Sequence, residues 1–199
     1  MITIELFLAL VGYYFVMYIT PGPNNTMLTV SGIKFGFFRT MPHLFGIPSG
    51  HALQLILVCL GLGVIFETYP MIQDILKWVG TAYLLYLAWK ILGSLKVGDK
   101  DTSSPLKYYE AVIFQFVNPK AWIICITAVS LFFPREESLL ISILFLVLLS
   151  SAVNLPCISC WALFGATIRN FLKNKKIKTA IEWLMAFVLA LTGASILFG

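Results

Sequence analysis

Two short stretches concentrate the residues able to do chemistry in this 199-residue chain. The first is Thr20-Pro21-Gly22-Pro23-Asn24-Asn25-Thr26, and the second is Asn118-Pro119-Lys120. Pro21 and Pro23 remove two backbone donors and clash with the preceding turn. Gly22 adds backbone freedom, so a helix is not expected to pass through unbroken. Asn118-Pro119 interrupts a second apolar run in the same way. The residues after each break start a new half-helix, whose exposed N–H groups and positive dipole end favour an anion. Asn24, Asn25 and Thr26 can cap that end or donate side-chain hydrogen bonds. Lys120 adds a full positive charge, and a carboxylate fits both features. The candidate binding set is Thr20, Pro21, Gly22, Pro23, Asn24, Asn25, Asn118, Pro119 and Lys120.

The elements that must position these residues are membrane helices. The chain is 59% hydrophobic and 12% charged, with a mean hydropathy of +0.90. Soluble domains carry about 25% charged residues, so this chain could not cover a water-facing surface. The same composition excludes disorder, collagen and a disulfide-stapled module. No charge occurs between Glu5 and Lys34, between Arg39 and Glu67, or between Glu137 and Arg169. Further apolar runs cover about 70–92, 109–133 and 179–198. Helices are the default in lipid, because their backbone groups are satisfied within the segment. The expectation is an all-α integral membrane protein with six transmembrane helices. The N-terminus lacks a positive n-region and a cleavage site, so it reads as the first span.

Depth sharpens the site. Leu6 to Thr20 spans about 22 Å at ~1.5 Å per residue, against a hydrocarbon core of about 30 Å. Tyr109 to Asn118 spans about 15 Å from the opposite direction. The two breaks therefore approach each other between mid-bilayer and its inner half. Irregular backbone at that depth survives only where protein buries it or it lines a wet cavity. A lysine there costs at least about 2.5 kcal/mol, so Lys120 is expected to face a cavity or an anionic ligand.

Eleven of the 14 basic residues follow spans one, three and five. They are Lys34 and Arg39; Lys90, Lys96, Lys100 and Lys107; and Arg169, Lys173, Lys175, Lys176 and Lys178. The positive-inside rule places those loops in the cytoplasm and both termini outside. Three helices per half would make a duplication an inverted repeat, as in many secondary transporters. Lys77-Trp78 and Glu182-Trp183 begin similar segments that end in Ile-Leu at the same spacing. Gly46-Ile-Pro48 pairs with Asn154-Leu-Pro156, and the broken helix one pairs with the broken helix four. The expected organisation is a first three-helix repeat at 1–95, a cytoplasmic polar linker at 96–108, and a second repeat at 109–199.

The remaining polar residues are less specific. Histidine as a residue type titrates near physiological pH, which makes His51 a candidate for proton coupling, though a hydrogen-bonded structural role suits it better. His43 lies nearer the cytoplasmic start of span two. Cys157 and Cys160 form a C-x2-C pair, but inside a span with no second pair they read as packing. Tyr69, Trp78 and Trp89 are candidates for the aromatic belt. The basic residues sit between apolar stretches rather than on a water-facing patch, so no nucleic-acid partner is expected. No metal-ligand spacing occurs, and no cofactor is expected.

Thr20-Pro-Gly-Pro-Asn24, Gly80-Thr-Ala-Tyr-Leu-Leu-Tyr-Leu-Ala-Trp89 and Phe116-Val-Asn-Pro-Lys-Ala121 resemble motifs of the lysine exporter (LysE/RhtB-type) amino-acid exporters. The similarity covers essentially the whole chain. It implies a bacterial inner-membrane exporter of an amino acid or amino-acid derivative, driven by the proton gradient, and no enzyme. The substrate's carboxylate would meet the half-helix N-termini and Lys120 at a midplane site between the repeats, which would rock to alternate access. A homodimer is a mild expectation. The alternative is an ion or metal channel or exporter on the same scaffold, since broken helices also build filters. A membrane thiol enzyme lacks a base–nucleophile constellation. Asn154-Leu-Pro156-Cys-Ile-Ser-Cys160 and the stretch from Gly46 to His51 match no pattern that names a substrate.

Overall fold

Long apolar runs surrounded by lipid must satisfy every backbone group internally, and the described residues are accordingly helical, with no strand among them. The computed structural model describes residues 2–63, 68–93, 104–169, 171 and 174–198. Most of the expected linker, with Lys96 and Lys100, lies outside them, as do Glu67 and Lys173.

Helix α1 (Ile4–Ile19) starts on Thr3, whose hydroxyl accepts from the Leu6 N–H at 3.2 Å. It stops at Thr20, which is extended ahead of Pro21. Helix α2 (Pro23–Phe35) follows at an angle of 53°. Gly36 turns the chain with φ +82°, a conformation that suits glycine, and α3 (Phe37–Leu57) begins at once. Helix α3 runs through Pro42 and Pro48 and passes into a π-helical stretch, Val58–Leu62. That stretch contains Gly61 at φ +110°, an interruption that the apolar run did not announce. Helix α4 (Pro70–Ile91) precedes the linker region. Helix α5 (Tyr108–Val117) and α6 (Pro119–Phe132) meet at 71° across Asn118. Helix α7 (Leu139–Ile168) continues for 30 residues through Pro156, and α8 (Lys175–Phe198) ends the described chain.

Among the described residues, three stretches are long and apolar enough to cross a membrane: Phe37–Leu62, Leu139–Ile168 and Lys175–Leu197. The two bent pairs raise this to five when each counts as one span. Helix α4 has 22 residues but carries Asp74, Lys77 and Lys90. It falls short of that apolarity, although the sequence reading counts it as the third span.

The helices touch through small residues. A Cβ on Gly32 of α2 would collide with the Ala162 carbonyl of α7, and one on Gly165 of α7 would collide with the Thr29 backbone of α2. Gly46 and Gly50 of α3 approach the backbone of α5 at Tyr108 and Val112 equally closely. Lipid offers no hydrophobic drive for helices to associate, so close backbone approach of this kind supplies the packing energy. Helix α4 pairs with α8, where the Thr81 hydroxyl donates to the Gly193 carbonyl at 3.3 Å. A buried cluster of Leu10, Tyr14, Tyr18, Leu55, Trp122 and Leu146 joins α1, α3, α6 and α7. Tyr69, Trp78 and Trp89 are exposed.

Candidate functional site

The last carbonyls of α1 have no intrahelical partner once the helix stops, and among packed helices each needs a donor. Side chains provide them all. The Met17 carbonyl accepts from the Thr20 hydroxyl at 3.1 Å. The Tyr18 carbonyl accepts from the Asn25 amide at 2.8 Å, and the Ile19 carbonyl from the Trp161 indole at 3.1 Å. The Thr20 carbonyl accepts from the Asn25 amide at 2.8 Å and from Lys120 Nζ at 3.1 Å. The Pro21 carbonyl accepts from Lys120 Nζ at 3.1 Å, and the same ammonium donates to Thr20 Oγ1 at 2.9 Å. Lys120 thus bridges the two breaks. Its partners are backbone carbonyls at the negative end of α1, where a cation is favoured.

Gly22 makes room for this arrangement. A Cβ there would lie 3.1 Å from Lys120 Cδ and 3.2 Å from Nζ. Gly22 is also the N-cap of α2, and it offers no side-chain cap. The first intrahelical bond of α2 runs from the Thr26 N–H to the Gly22 carbonyl at 2.9 Å, so the Asn24 and Asn25 N–H groups precede it. Asn25 therefore serves the helix behind it rather than capping the one ahead. Asn24 pairs amide to amide with Gln115, at 2.8 and 3.2 Å.

The second break is closed largely by its own residues. Asn118 Oδ1 accepts from the Lys120 N–H at 3.2 Å, and the Asn118 carbonyl accepts from Ala121 and Trp122. The Trp122 indole donates to the Phe116 carbonyl at 2.9 Å, and the Gln54 amide donates to the Gln115 carbonyl at 2.9 Å. Pro119 has no N–H to satisfy. The N-terminus of α6 is capped where that of α2 is open.

A cavity of about 30 Å³ lies between the breaks, lined by Gly22, Asn24, Asn25, Gln115, Asn118 and Lys120, together with His51 and Asn154. Lys120 carries the only charge among the described residues lining it. That volume admits one or two waters, since one needs about 10–15 Å³; an amino acid does not fit this conformation. His51 is 2% exposed, lies edge-on to Tyr18 and approaches the Cys125 thiol at 3.6 Å. Asn154 is also 2% exposed, and its Oδ1 has no partner. Cys157 is buried and Cys160 exposed, and both are free thiols. Among the described residues no three His, Cys, Asp or Glu side chains converge as metal ligands would.

The structure thus places six of the nine candidate residues, Gly22, Pro23, Asn24, Asn25, Asn118 and Lys120, on the cavity, with Thr20 and Pro21 holding Lys120, while Pro119 packs against Gly80 instead. It adds Gln115, Trp161 and Asn154. Gln115 and Trp161 sit in apolar runs with no local sign of a role. Asn154 stood out in the sequence, yet nothing there said which cavity it faces.

A multi-helix membrane protein with two broken helices joined at a polar cavity belongs among transporters rather than enzymes. Residues 15–199 match the family model described as LysE type translocator, and the chain belongs to that family. It is similar to the cysteine/O-acetylserine efflux protein of Salmonella paratyphi A, at 32% identity over 77% of this chain and 78% of the relative. It is also similar to the protein of the same name from Escherichia coli O157:H7, at 30% identity over 81% and 83%. No solved structure matches.

Proposed function

We propose that this chain is a secondary transporter that exports an amino acid or amino-acid derivative from the cytoplasm by proton antiport, with alternating access at the cavity between the two breaks. The observation that carries this reading is the Lys120 ammonium held by the Thr20 and Pro21 carbonyls over that cavity. The substrate's carboxylate goes to the open N-terminus of α2, beside Asn24 and within reach of Lys120. The N-terminus of α6 is already taken by Asn118. The unpartnered Asn154 Oδ1 accepts from the substrate's ammonium. One carboxylate answers the single charge of the cavity, so a zwitterionic amino acid such as cysteine or O-acetylserine, as in the names of the relatives, is the substrate that a conformation with a wider cavity takes. His51, on the cavity wall, is the group assigned to carry the proton.

Helix pairing supports six spans in two inverted repeats. Exchanging the halves turns the α1–α7 contact into α5–α3 and α2–α7 into α6–α3, and leaves α3–α7 and α4–α8 unchanged; all of these pairs are in contact. The bent pairs α1–α2 and α5–α6 are equivalent under the same exchange. Basic residues then mark the cytoplasmic side of a bacterial inner membrane, with both termini outside.

The test is uptake of labelled cysteine and O-acetylserine into inverted membrane vesicles under an imposed pH gradient. The reading expects saturable uptake by the wild type. It expects none by Asn24→Ala and Lys120→Ala, both still inserted in the membrane. Normal transport by both variants would sink it.

A further inference from the structure

A second cavity, of about 300 Å³, lies on the other face of α2 from the first. The two share α2 and α3 as walls: Asn24 and Asn25 of α2 and His51 of α3 line the first, and Thr26 and His43 line the second. Its size is at the lower end for small-ligand sites, about 300–1,000 Å³. His43 of α3 lines it, is 1% exposed, and has no hydrogen-bond partner on either ring nitrogen. Nearly all buried polar groups in native structures have partners, and an orphan calls for an explanation. Two ammonium groups line the same cavity, Lys34 in the last turn of α2 and Lys90 in the last turn of α4. Lys90 also lies over the Tyr86 ring at 5.6 Å. No carboxylate is among the described residues lining the cavity, and the rest of the wall is mainly apolar. An imidazole and two ammonium groups facing one space make a donor set for an oxyanion.

We propose that this second cavity binds an oxyanion between His43, Lys34 and Lys90: the carboxylate of an amino acid passing toward the central site, or the phosphate of an anionic lipid headgroup. The site stands on its own residues; its amino-acid occupant, though not its lipid one, rests on the reading given to the first cavity. An amino acid held here would be one helix away from Asn24. A displacement of α2 would then join the two cavities. A lipid phosphate held here would instead pin α2 against α3 and α4.

The chain has two histidines, one on each cavity, so histidine labelling reports both sites at once. The full chain, 15N-labelled at histidine and held in phosphatidylcholine nanodiscs, gives two imidazole signals, assigned with His43→Gln. One arm adds O-acetylserine; the other replaces part of the phosphatidylcholine with phosphatidylglycerol. The expected result is a saturable shift of the His43 signal in at least one arm. Lys34→Gln and Lys90→Gln should each raise its half-saturation about tenfold, as expected for losing a charged hydrogen-bond partner. A response to O-acetylserine identifies the carboxylate as the occupant; a response to phosphatidylglycerol alone identifies the lipid phosphate. A His43 signal unmoved in both arms overturns the proposal, and so does a shift that neither lysine variant weakens. The His51 signal separates the two readings. With O-acetylserine added, His51 moving while His43 stays still in both arms leaves the central site standing and removes this one; with O-acetylserine added, His43 moving while His51 stays still removes the central site alone.

Discussion

The two breaks in this chain look alike in sequence and are built differently. The break at Asn118 is closed mainly by its neighbours: its own amide caps α6 and Trp122 reaches back to Phe116, with Gln54 of α3 as one distant donor to the Gln115 carbonyl. The break at Pro21 depends on residues far along the chain, with Trp161 and Lys120 donating to the end of α1. The N-terminus that follows it has no side-chain cap. On the function proposed above, the break that largely satisfies its own backbone is scaffold. A break served by distant donors can exchange them, and that exchange is what a binding site requires.

Substitutions can break or sharpen this contrast. Lys120→Met should have the largest effect, leaving the Pro21 carbonyl without its donor and the cavity without its charge. Loss of charged hydrogen bonds worth roughly 1.5–3 kcal/mol predicts about a hundredfold loss of export, measured in proteoliposomes. Gly22→Ala comes next. Its Cβ would press on Lys120 at 3.1–3.2 Å and move the ammonium off its carbonyls, for about a tenfold loss. Asn118→Ala removes the cap of α6 and should cost about 0.5–2 kcal/mol of stability. It should appear as a lower melting temperature in detergent, with half-saturation for export changed less than about twofold. A large change in half-saturation with no loss of stability would make the two breaks equivalent. Thr20→Val removes one of three oxygens from the ammonium, which keeps the other two, together with the hydroxyl that donates to the Met17 carbonyl, and should have the smallest effect on export of the substitutions around Lys120. Roughly 0.5–1.5 kcal/mol for one bond corresponds to a few-fold loss of export.

The breaks themselves were legible because proline lacks an N–H and leaves a mark in any helix. Lys120 was legible because a charge in an apolar run has a cost that something must offset. The long uncharged runs announced helices, and the paired bends at Pro21 and Asn118 fell where the sequence places them. Gln115 and Trp161 were not legible: each meets a carbonyl or amide on a helix distant in sequence, and packing alone decides which. The direction in which Asn25 donates was left open by its type, since an asparagine can serve either helix at a break. Gly61 adopts a positive φ that its neighbours do not require. Helix α4 shows the limit of counting apolar runs. It packs on α8 as a span would, yet Asp74, Lys77 and Lys90 lower its apolarity below that of the other spans.

The central claim is that the Pro21 break, opened by Lys120, holds the substrate while the Asn118 break supports it. Equilibrium binding of labelled O-acetylserine to the purified chain tests this most directly, comparing the wild type with Lys120→Ala and Asn118→Ala. The account predicts saturable binding by the wild type, near-normal affinity for Asn118→Ala in the folded fraction, and no detectable binding by Lys120→Ala. Equal affinity in Lys120→Ala and the wild type would contradict it.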